Sequence, residues 1–350
     1  MSLLINITRM IMLTLSICSI MNISSLVASE KPKTIYMIHW LKAGRTVLGE
    51  TFIKYLKEKN LNVEFIERFA EQDHKKLESF IDEAKRIRPD LIYVYSTGAV
   101  LKVAGPWDAV DPAKHITDIP ILAVAHSEPI ATKIVKDIGI PTGRNVTGVG
   151  HHIPNKTNLK IMQSFTDNIK KIVVLSSPEP NSVAGGLGLK KIAAMENVET
   201  TLVQFEVKDN KIVEGGIKKV VLKVLAEKPD MIYLPSDGVT QGSIRSIIDE
   251  FVQNKSLHAA PIYTTLEDMV RAEGTCLVAY FTSFSVMGLM AGMQAEEILF
   301  KGKDVKTMPY QIGSKTSLAI REDTMRALGT TPKIALLETA EIFRKVVSNG

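Results

Sequence analysis

The fold predicted for this sequence is α/β: two doubly wound, Rossmann-like lobes, each presenting the carboxyl ends of its strands as a ligand edge. Three observations carry the prediction. From Lys31 onward, strand-like and helix-like stretches alternate, which calls for parallel sheets joined by right-handed crossovers. A length of 350 residues is enough for two hydrophobic cores. The chain also repeats a phrase, RPDLIYVYSTG at 88–98 and KPDMIYLPSDG at 228–238, with Asp, Ile, Tyr, Ser and Gly at matching offsets. Each copy follows a charged amphipathic stretch, runs into a short apolar strand and stops at Ser-x-Gly. That carboxyl end of a parallel strand is where open α/β sheets place their ligands.

The elements follow in order. Thr34–Trp40 reads as a buried strand, and 44–59 as an amphipathic helix with Val47, Phe52, Tyr55 and Leu56 near one face. Asn62–Arg68 is a strand; Asp73 is a helix N-cap, and Leu77, Phe80, Ile81 and Ala84 hold a helical period up to Pro89. Asp90–Ser96, Ile119–His126 and Asn145–Val149 are strands, with Gly105–Pro112 a surface loop. The grammar then restarts: helix Asn158–Phe165, strand Lys171–Ser177, helix 182–196, strand Glu199–Val207, helix Ile212–Glu227, strand Asp230–Pro235 and helix Ser243–Gln253. Strands Pro261–Thr265 and Cys276–Phe281 precede a helix, Ser285–Phe300, that is ended by Lys301-Gly302-Lys303. Strands at Met308–Ile312 and Leu318–Ile320 and some short helices complete the chain.

Residues 1–29 stand apart. Their one charge is Arg9, an apolar run covers Met10–Met21, and small residues lead to Ala28 and Ser29. This is the layout of a signal peptide cleaved near Ala28 or Ser29. A signal anchor and a lipoprotein signal ending at Cys18 are the alternatives; bulky Ile17 before Cys18 disfavours the second, and the apolar run is short for a span. Beyond it, 43 basic residues less Arg9 leave 42 against 38 acidic, a charge of +4. That charge is dispersed over helical faces, so no stripe suits a nucleic-acid backbone. Cys276 is then the one cysteine left, and the fold must stand on its cores without an intrachain disulfide.

No G-x-S-x-G elbow and no H-E-x-x-H occurs, and no nucleophile sits beside an orienting base. His151-His152 lacks a third ligand at a metal spacing and reads as a solvated loop. Gly185-Gly186-Leu187-Gly188 lacks the spacing of a phosphate loop and reads as a glycine-rich helix start. Neither cofactor nor metal is expected. What recurs is polar residues at strand ends: His39 and Trp40, then Ser96, Thr97 and Gly98, then Ser127 and Glu128. In the second half Ser177, Asn181, Ser182, Ser236 and Asp237 continue the series, with Phe281 beside them as an aromatic wall. Helix starts after these strands offer free N–H groups to a carboxylate, Asp237 and Glu128 could hold an ammonium group, and Trp40 or Phe281 could sandwich an apolar body. Ser96, Thr97, Ser182 and Ser236 also read as plain helix caps, which is the commoner role for such residues.

At these residues the sequence resembles the ABC-transporter substrate-binding proteins of the periplasmic-binding type 1 fold, in the branch that binds tryptophan and related aromatic amino acids. The resembling stretches are IPILAVAHSEP at 119–129, GRNVTG at 143–148, VLSSP at 174–178 with Asn181-Ser182, DMIYLPSD at 230–237 and MQAEEILFKG at 293–302. The likeness covers about residues 34–330. It implies two lobes joined by a hinge of three crossovers, near Val149, Phe281 and Met308. Residues 30–148 with 282–307 would form the first lobe, and 149–281 with 308–350 the second. The resemblance also puts Ser127-Glu128 and Ser236-Asp237 at the family's Thr-Asp positions, Asn181-Ser182 on its Asn-Ser, and Ser96-Thr97 at its carboxylate-binding helix start. Gly98-Ala99-Val100 and Thr282 depart from the family pattern, so ligand identity does not carry over. The expected function is capture of an amino acid-like solute in the periplasm by a monomer, and its delivery to an ABC permease. A sensor module for a membrane receptor and, more remotely, an enzyme on the same fold are the alternatives.

Overall fold

The computed structural model of the protein describes residues 31–41, 45–166, 168–272 and 274–344. The expected leader over 1–29, with its cleavage site and Cys18, lies outside the described residues, as does Gly44 at the expected start of the first helix. Among the described residues no helix is long and apolar enough to cross a membrane.

The first sheet has six strands. They are β1 (Lys33–His39), β2 (Val63–Phe69), β3 (Leu91–Tyr95), β4 (Ile121–Val124), β5 (Val146–Gly150) and, late in the chain, β13 (Gln311–Ile312). Their order is β13-β5-β4-β3-β1-β2, every pair parallel. Helices α1 (Val47–Glu58), α2 (His74–Ile87) and α3 (Thr97–Ala104) cross between these strands, and α4 (Asn155–Phe165) leads out. The second sheet contains β6 (Lys171–Ser176), β7 (Glu199–Gln204), β10 (Met231–Leu234), β11 (Ile262–Thr264), β12 (Val278–Thr282), β14 (Thr316–Arg321) and β15 (Glu341–Phe343). Its helices are α5 (Pro180–Met195), α6 (Gly216–Ala226), α7 (Gly238–Gln253), α8 (Asp268–Arg271), α10 (Glu322–Leu328) and α11 (Ile334–Thr339). A small hairpin, β8 (Val207–Lys208) with β9 (Lys211–Ile212), replaces the expected continuation of strand 199–207 and the first turn of helix 212–227.

Strict parallelism fails at one edge, where β14 runs antiparallel to β12. Between β12 and β14 the chain visits the first lobe through a helix and β13, and it re-enters the second sheet from there in the opposite direction.

Helix α9 (Phe284–Leu299) returns to the first lobe and lies on α1. Glycines allow the close approach: a Cβ on Gly288 would fall 2.4 Å from the Leu48 carbonyl oxygen, and one on Gly292 would fall 2.5 Å from the Tyr55 ring. The core on this side is Ile35 and Met37 of β1 with Leu48, Phe52 and Met287, while Tyr36, Ile38 and Trp40 face the opposite layer under α2 and α3. Burying one such side chain contributes about 1.5–3 kcal/mol. Because β13 pairs with β5, the third passage between lobes falls between Ile312 and Thr316, not near Met308, and the stretch expected to open 308–350 of the second lobe belongs to the first sheet.

The repeated phrase performs the same structural work twice. Arg88 (φ 53°) and Lys228 (φ 49°) are left-handed residues just past helix ends, each followed by a proline that cannot continue the helix. Asp90 Oδ2 accepts from the Thr34 N–H at 2.8 Å and so ties the start of β1 to β3. Asp230 Oδ2 does the same for β6, accepting from the N–H groups of Lys170 and Lys171 at 2.8 Å.

The Asn-Val-Thr-Gly motif at 145–148 is likewise structural. Asn145 donates to the carbonyls of Ile116 and Ile119 at 2.9 and 2.8 Å, and Thr147 donates to that of Pro309 at 3.0 Å. Gly148 (φ 156°) has no room for a side chain, since a Cβ would lie 1.8 Å from the Ala123 carbonyl oxygen.

Candidate functional site

The strand ends of the two sheets meet. Leu41, Tyr95, Ser96, Thr97, Ala125 and His151 approach from the first lobe and its exit, and Asn181, Ser236, Asp237, Gly238, Gln241 and Leu266 from the second. Between them is a cavity of about 20 Å³, far smaller than any amino acid.

Five of the residues expected from the sequence are brought together here: Ser96, Thr97, Asn181, Ser236 and Asp237. Ser96 precedes α3 with φ 89°, and its side chain makes no capping hydrogen bond, so the first-turn N–H groups of α3 are left to other partners. Asp237 is the N-cap of α7 and is 3% exposed; Oδ1 accepts from the Thr240 N–H at 2.6 Å and Oδ2 from the Ser182 hydroxyl at 2.7 Å. Ser182 in turn accepts from the Ser177 N–H at 3.3 Å, and the Ser177 hydroxyl accepts from the Glu179 N–H at 3.2 Å. Ser177 and Ser182 therefore stand behind Asp237 and orient it. Asn181 donates to the Ser236 carbonyl.

The other expected residues lie elsewhere. His39 shares the inner face of β1 with Ile35 and Met37, stacks on Phe69 at 4.7 Å between ring centres, and has Nε2 3.2 Å from Glu67 Oε2, without hydrogen-bond alignment. Trp40 takes the opposite face and packs in the core 5.0 Å from the His74 ring. Phe281 is held among Val270, Ala279 and Ala319. All three occupy strand-end positions whose pleat directs the side chain into a core layer. Gly98 lies in the first turn of α3, with open space where a Cβ would be. Ser127 is buried with an unpartnered hydroxyl. Glu128 reaches toward the second lobe outside the cavity, with Oε2 3.5 Å from His152 Nδ1 and Oε1 beside Gly185.

His151 and His152 are not a solvated loop. His151 is 3% exposed and places Nε2 3.1 Å from the Ser236 hydroxyl, while His152 donates from Nδ1 to the Ser127 carbonyl at 3.0 Å. His151 immediately follows β5, so the strand-end rule that selected Ser96 would have found it. The glycines at 185, 186 and 188 lie within α5 and do not start it. Gly186 lets that helix settle on β6, where a Cβ would be 3.0 Å from Val174 Cγ1. Tyr95, Gln241 and Leu266 carry no sequence signal beyond their place near strand ends.

Burial governs the charges. The Glu128 carboxyl is pushed up to about 7 by burial. Glu179 is pushed up to about 7 by burial first and by neighbouring Asp237 second. Asp237 is raised by burial, against the pull of the Ser182 and Thr240 donors. His126 and His151 are lowered by burial to about 3 and about 4, so both are neutral near pH 7. The site thus combines a helix start that its own Ser96 side chain does not cap, hydroxyls, an amide and acidic side chains. Among the described residues no group of three His, Cys, Asp or Glu is placed to hold a metal.

The sequence profile of the family described as ABC transporter substrate binding protein matches residues 48–343. A protein of Clostridioides difficile (strain R20291) named tyrosine-binding protein is 28% identical over 284 residues, which span 79% of this chain and 75% of the relative. Among solved structures, a conserved domain protein from Vibrio cholerae O1 biovar El Tor superposes with a TM-score of 0.75 at 20% identity, covering 89% of this chain and 100% of that one. An ABC domain from Streptococcus pneumoniae in complex with L-Trp gives 0.73 at 22% identity, with the same coverage of 89% and 100%. A ligand-free, open substrate-binding protein from Clostridium difficile gives 0.64 at 22% identity, covering 89% and 99%.

Proposed function

The chain belongs to the family of ABC transporter substrate-binding proteins, and from that premise we propose that it captures an amino acid-like solute, an aromatic amino acid first, between its lobes and delivers it to a membrane permease. The observation that carries this reading is the meeting of Ser96 and Thr97 at the start of α3 with Asn181, Ser236 and Asp237 across one cavity. A ligand carboxylate suits the free N–H groups of α3, and an ammonium group suits Asp237. Tyr95, Leu41 and Leu266 supply apolar surface between the two polar ends. The relative named for tyrosine and the neighbour holding L-Trp point to the same solute class.

The cavity of about 20 Å³ requires the lobes to part before a solute can enter. Residues 151–154, the β12–α9 junction at Ser283 and residues 313–315 link the sheets and are the hinge in this reading. Closure over the ligand selects the form that a permease recognises. Export by a leader over 1–29 places the protein outside the cytoplasmic membrane.

The test is mass spectrometry of solute that co-purifies with the protein, followed by calorimetry with L-tryptophan and L-tyrosine. Micromolar or tighter binding of either is expected. A co-purifying sugar or nucleoside, with no heat from either amino acid, would overturn the reading.

A further inference from the structure

We propose that Glu179 joins Asp237 in a two-carboxylate subsite that admits only solutes carrying a protonated amine. The inference rests on the reading of the interlobe cavity as an amino acid-type site and adds a selecting residue that the strand-end pattern does not reveal.

Three observations bring the pair together. Glu179 is the residue before α5, and its Oε2 accepts from the N–H of Gly238, the residue after Asp237, at 3.0 Å. Its other oxygen lies 3.5 Å from where a Cβ on the same glycine would be, and the Gln72 amide of the first lobe lies 3.4 Å from that point. Asp237 lines the cavity itself.

Charge sets this pair apart. Three other shielded carboxylates have their own cation: Glu67 has Arg45, Glu83 has Arg68 and Glu267 has Arg271. Among the described residues, no lysine, arginine or histidine lies within ion-pair distance of Glu179 or Asp237. Buried Asp237 and part-buried Glu179 both hold their protons more tightly than usual, Asp237 through burial and Glu179 through burial first and neighbouring Asp237 second. A second, independent feature faces the same space. His151, which meets the Ser236 hydroxyl, lines the cavity while 3% exposed, and its Nδ1 has no hydrogen-bond partner among the described residues. The site therefore offers acid at one end and a neutral imidazole beside it, and the cation that completes the arrangement has to arrive with the solute.

The experiment is calorimetry on the full chain and on Glu179→Gln with L-tryptophan, tryptamine, indole-3-propionate and L-leucine. Glutamine keeps an oxygen for the Gly238 N–H, and a thermal melt verifies the fold. Asp237→Asn, which keeps a good helix cap, is the second variant. At least one amine-bearing probe should bind the wild type, and either variant should weaken it about tenfold or more, as loss of a charged hydrogen bond does. Indole-3-propionate should bind poorly to all three proteins. Binding of L-leucine without L-tryptophan or tryptamine would end the aromatic assignment and leave the subsite standing. Wild-type binding of indole-3-propionate as tight as that of L-tryptophan, an amine affinity unchanged in Glu179→Gln, or no binding of any amine-bearing probe would overturn the subsite.

Discussion

Gln72 and Asn210 join the two lobes at the rim of the cleft: the Asn210 side-chain amide donates to the Gln72 carbonyl, and Gln72 Nε2 donates onward to the Gly238 carbonyl at 3.3 Å. Both loops are held in left-handed backbone by residues other than glycine, Glu71 and Gln72 at φ 52° and 62°, Asp209 and Asn210 at φ 50° and 56°. Asp209-Asn210 is the two-residue turn of the β8–β9 hairpin, a turn type that asks for φ above zero at both positions.

This clasp sits outside the cavity, so its effect should be on release. Asn210→Ala removes one hydrogen bond worth about 1 kcal/mol and should speed ligand dissociation roughly fivefold with little change in association. Stopped-flow tryptophan fluorescence reads both rates, and an unaltered dissociation rate would refute the clasp.

Asp237 has two jobs that two substitutions separate. Asp237→Ala should lose ligand affinity by more than about 1 kcal/mol and also lower stability by roughly 0.5–2 kcal/mol, because the cap of α7 goes with it. Asp237→Asn should hold the melting temperature near wild type and still lose affinity. Unchanged affinity in both variants, read by calorimetry, would remove Asp237 from the site.

Glu128 gives a pH signature. Its carboxyl keeps a proton in the folded protein up to about 7, whereas an unfolded glutamate releases it near 4.5. The folded state binds more protons across that window, so this group's contribution to stability falls as the pH rises through it. Glu128→Gln should therefore melt higher than wild type at about pH 8 and match it at about pH 4. His126 and His151 act in the opposite sense: their neutral forms support the fold above 6.5, and that support is lost as the pH falls toward about 3 for His126 and about 4 for His151. A Glu128→Gln difference that does not vary with pH would contradict the burial argument.

Strain at the site can be relieved. Ala125 follows β4 at φ 59° and lines the cavity. Ala125→Gly should stabilise the protein by up to about 1 kcal/mol, roughly 2 °C in melting temperature. A lower melting temperature would show that neighbouring packing, and not backbone strain, dominates there.

Gly148→Ala tests the opposite extreme. With a Cβ 1.8 Å from the Ala123 carbonyl oxygen, β4 and β5 cannot keep their register. Loss of soluble folded protein, or a melting temperature lower by more than about 10 °C, is expected from a clash of this kind. A near-normal melt would mean that the strands can separate without consequence.

Much of the architecture was legible because it is written in local chemistry. The Asp73 cap, the left-handed stops at Arg88 and Lys228 and the buried strands each follow from a few adjacent residues. So does the placement of Ser96 and Asp237 at the cavity, since the carboxyl ends of strands are set by the alternation itself. The β8–β9 hairpin, the short helix α8 and strand β15 were not legible, because two to four residues give no readable period. The solvated-loop reading of His151-His152 failed because exposure depends on what the second lobe brings against β5.

The sequence by itself determined two α/β lobes, the repeated phrase that staples each sheet, and the edge of each sheet on which ligand chemistry would lie. The tertiary structure alone decided which strand-end side chains reach the cavity. Ser96 and Asp237 do, while His39, Trp40 and Phe281 turn into cores. It also decided that Glu179 lies against Asp237, that His151 reaches Ser236, and that Asn210 closes on Gln72. The reason is distance along the chain. Periodicity reports neighbours within a turn or a pleat, whereas these partners are 58 to 138 residues apart or meet across the cleft, and only the packing of one lobe against the other sets their spacing.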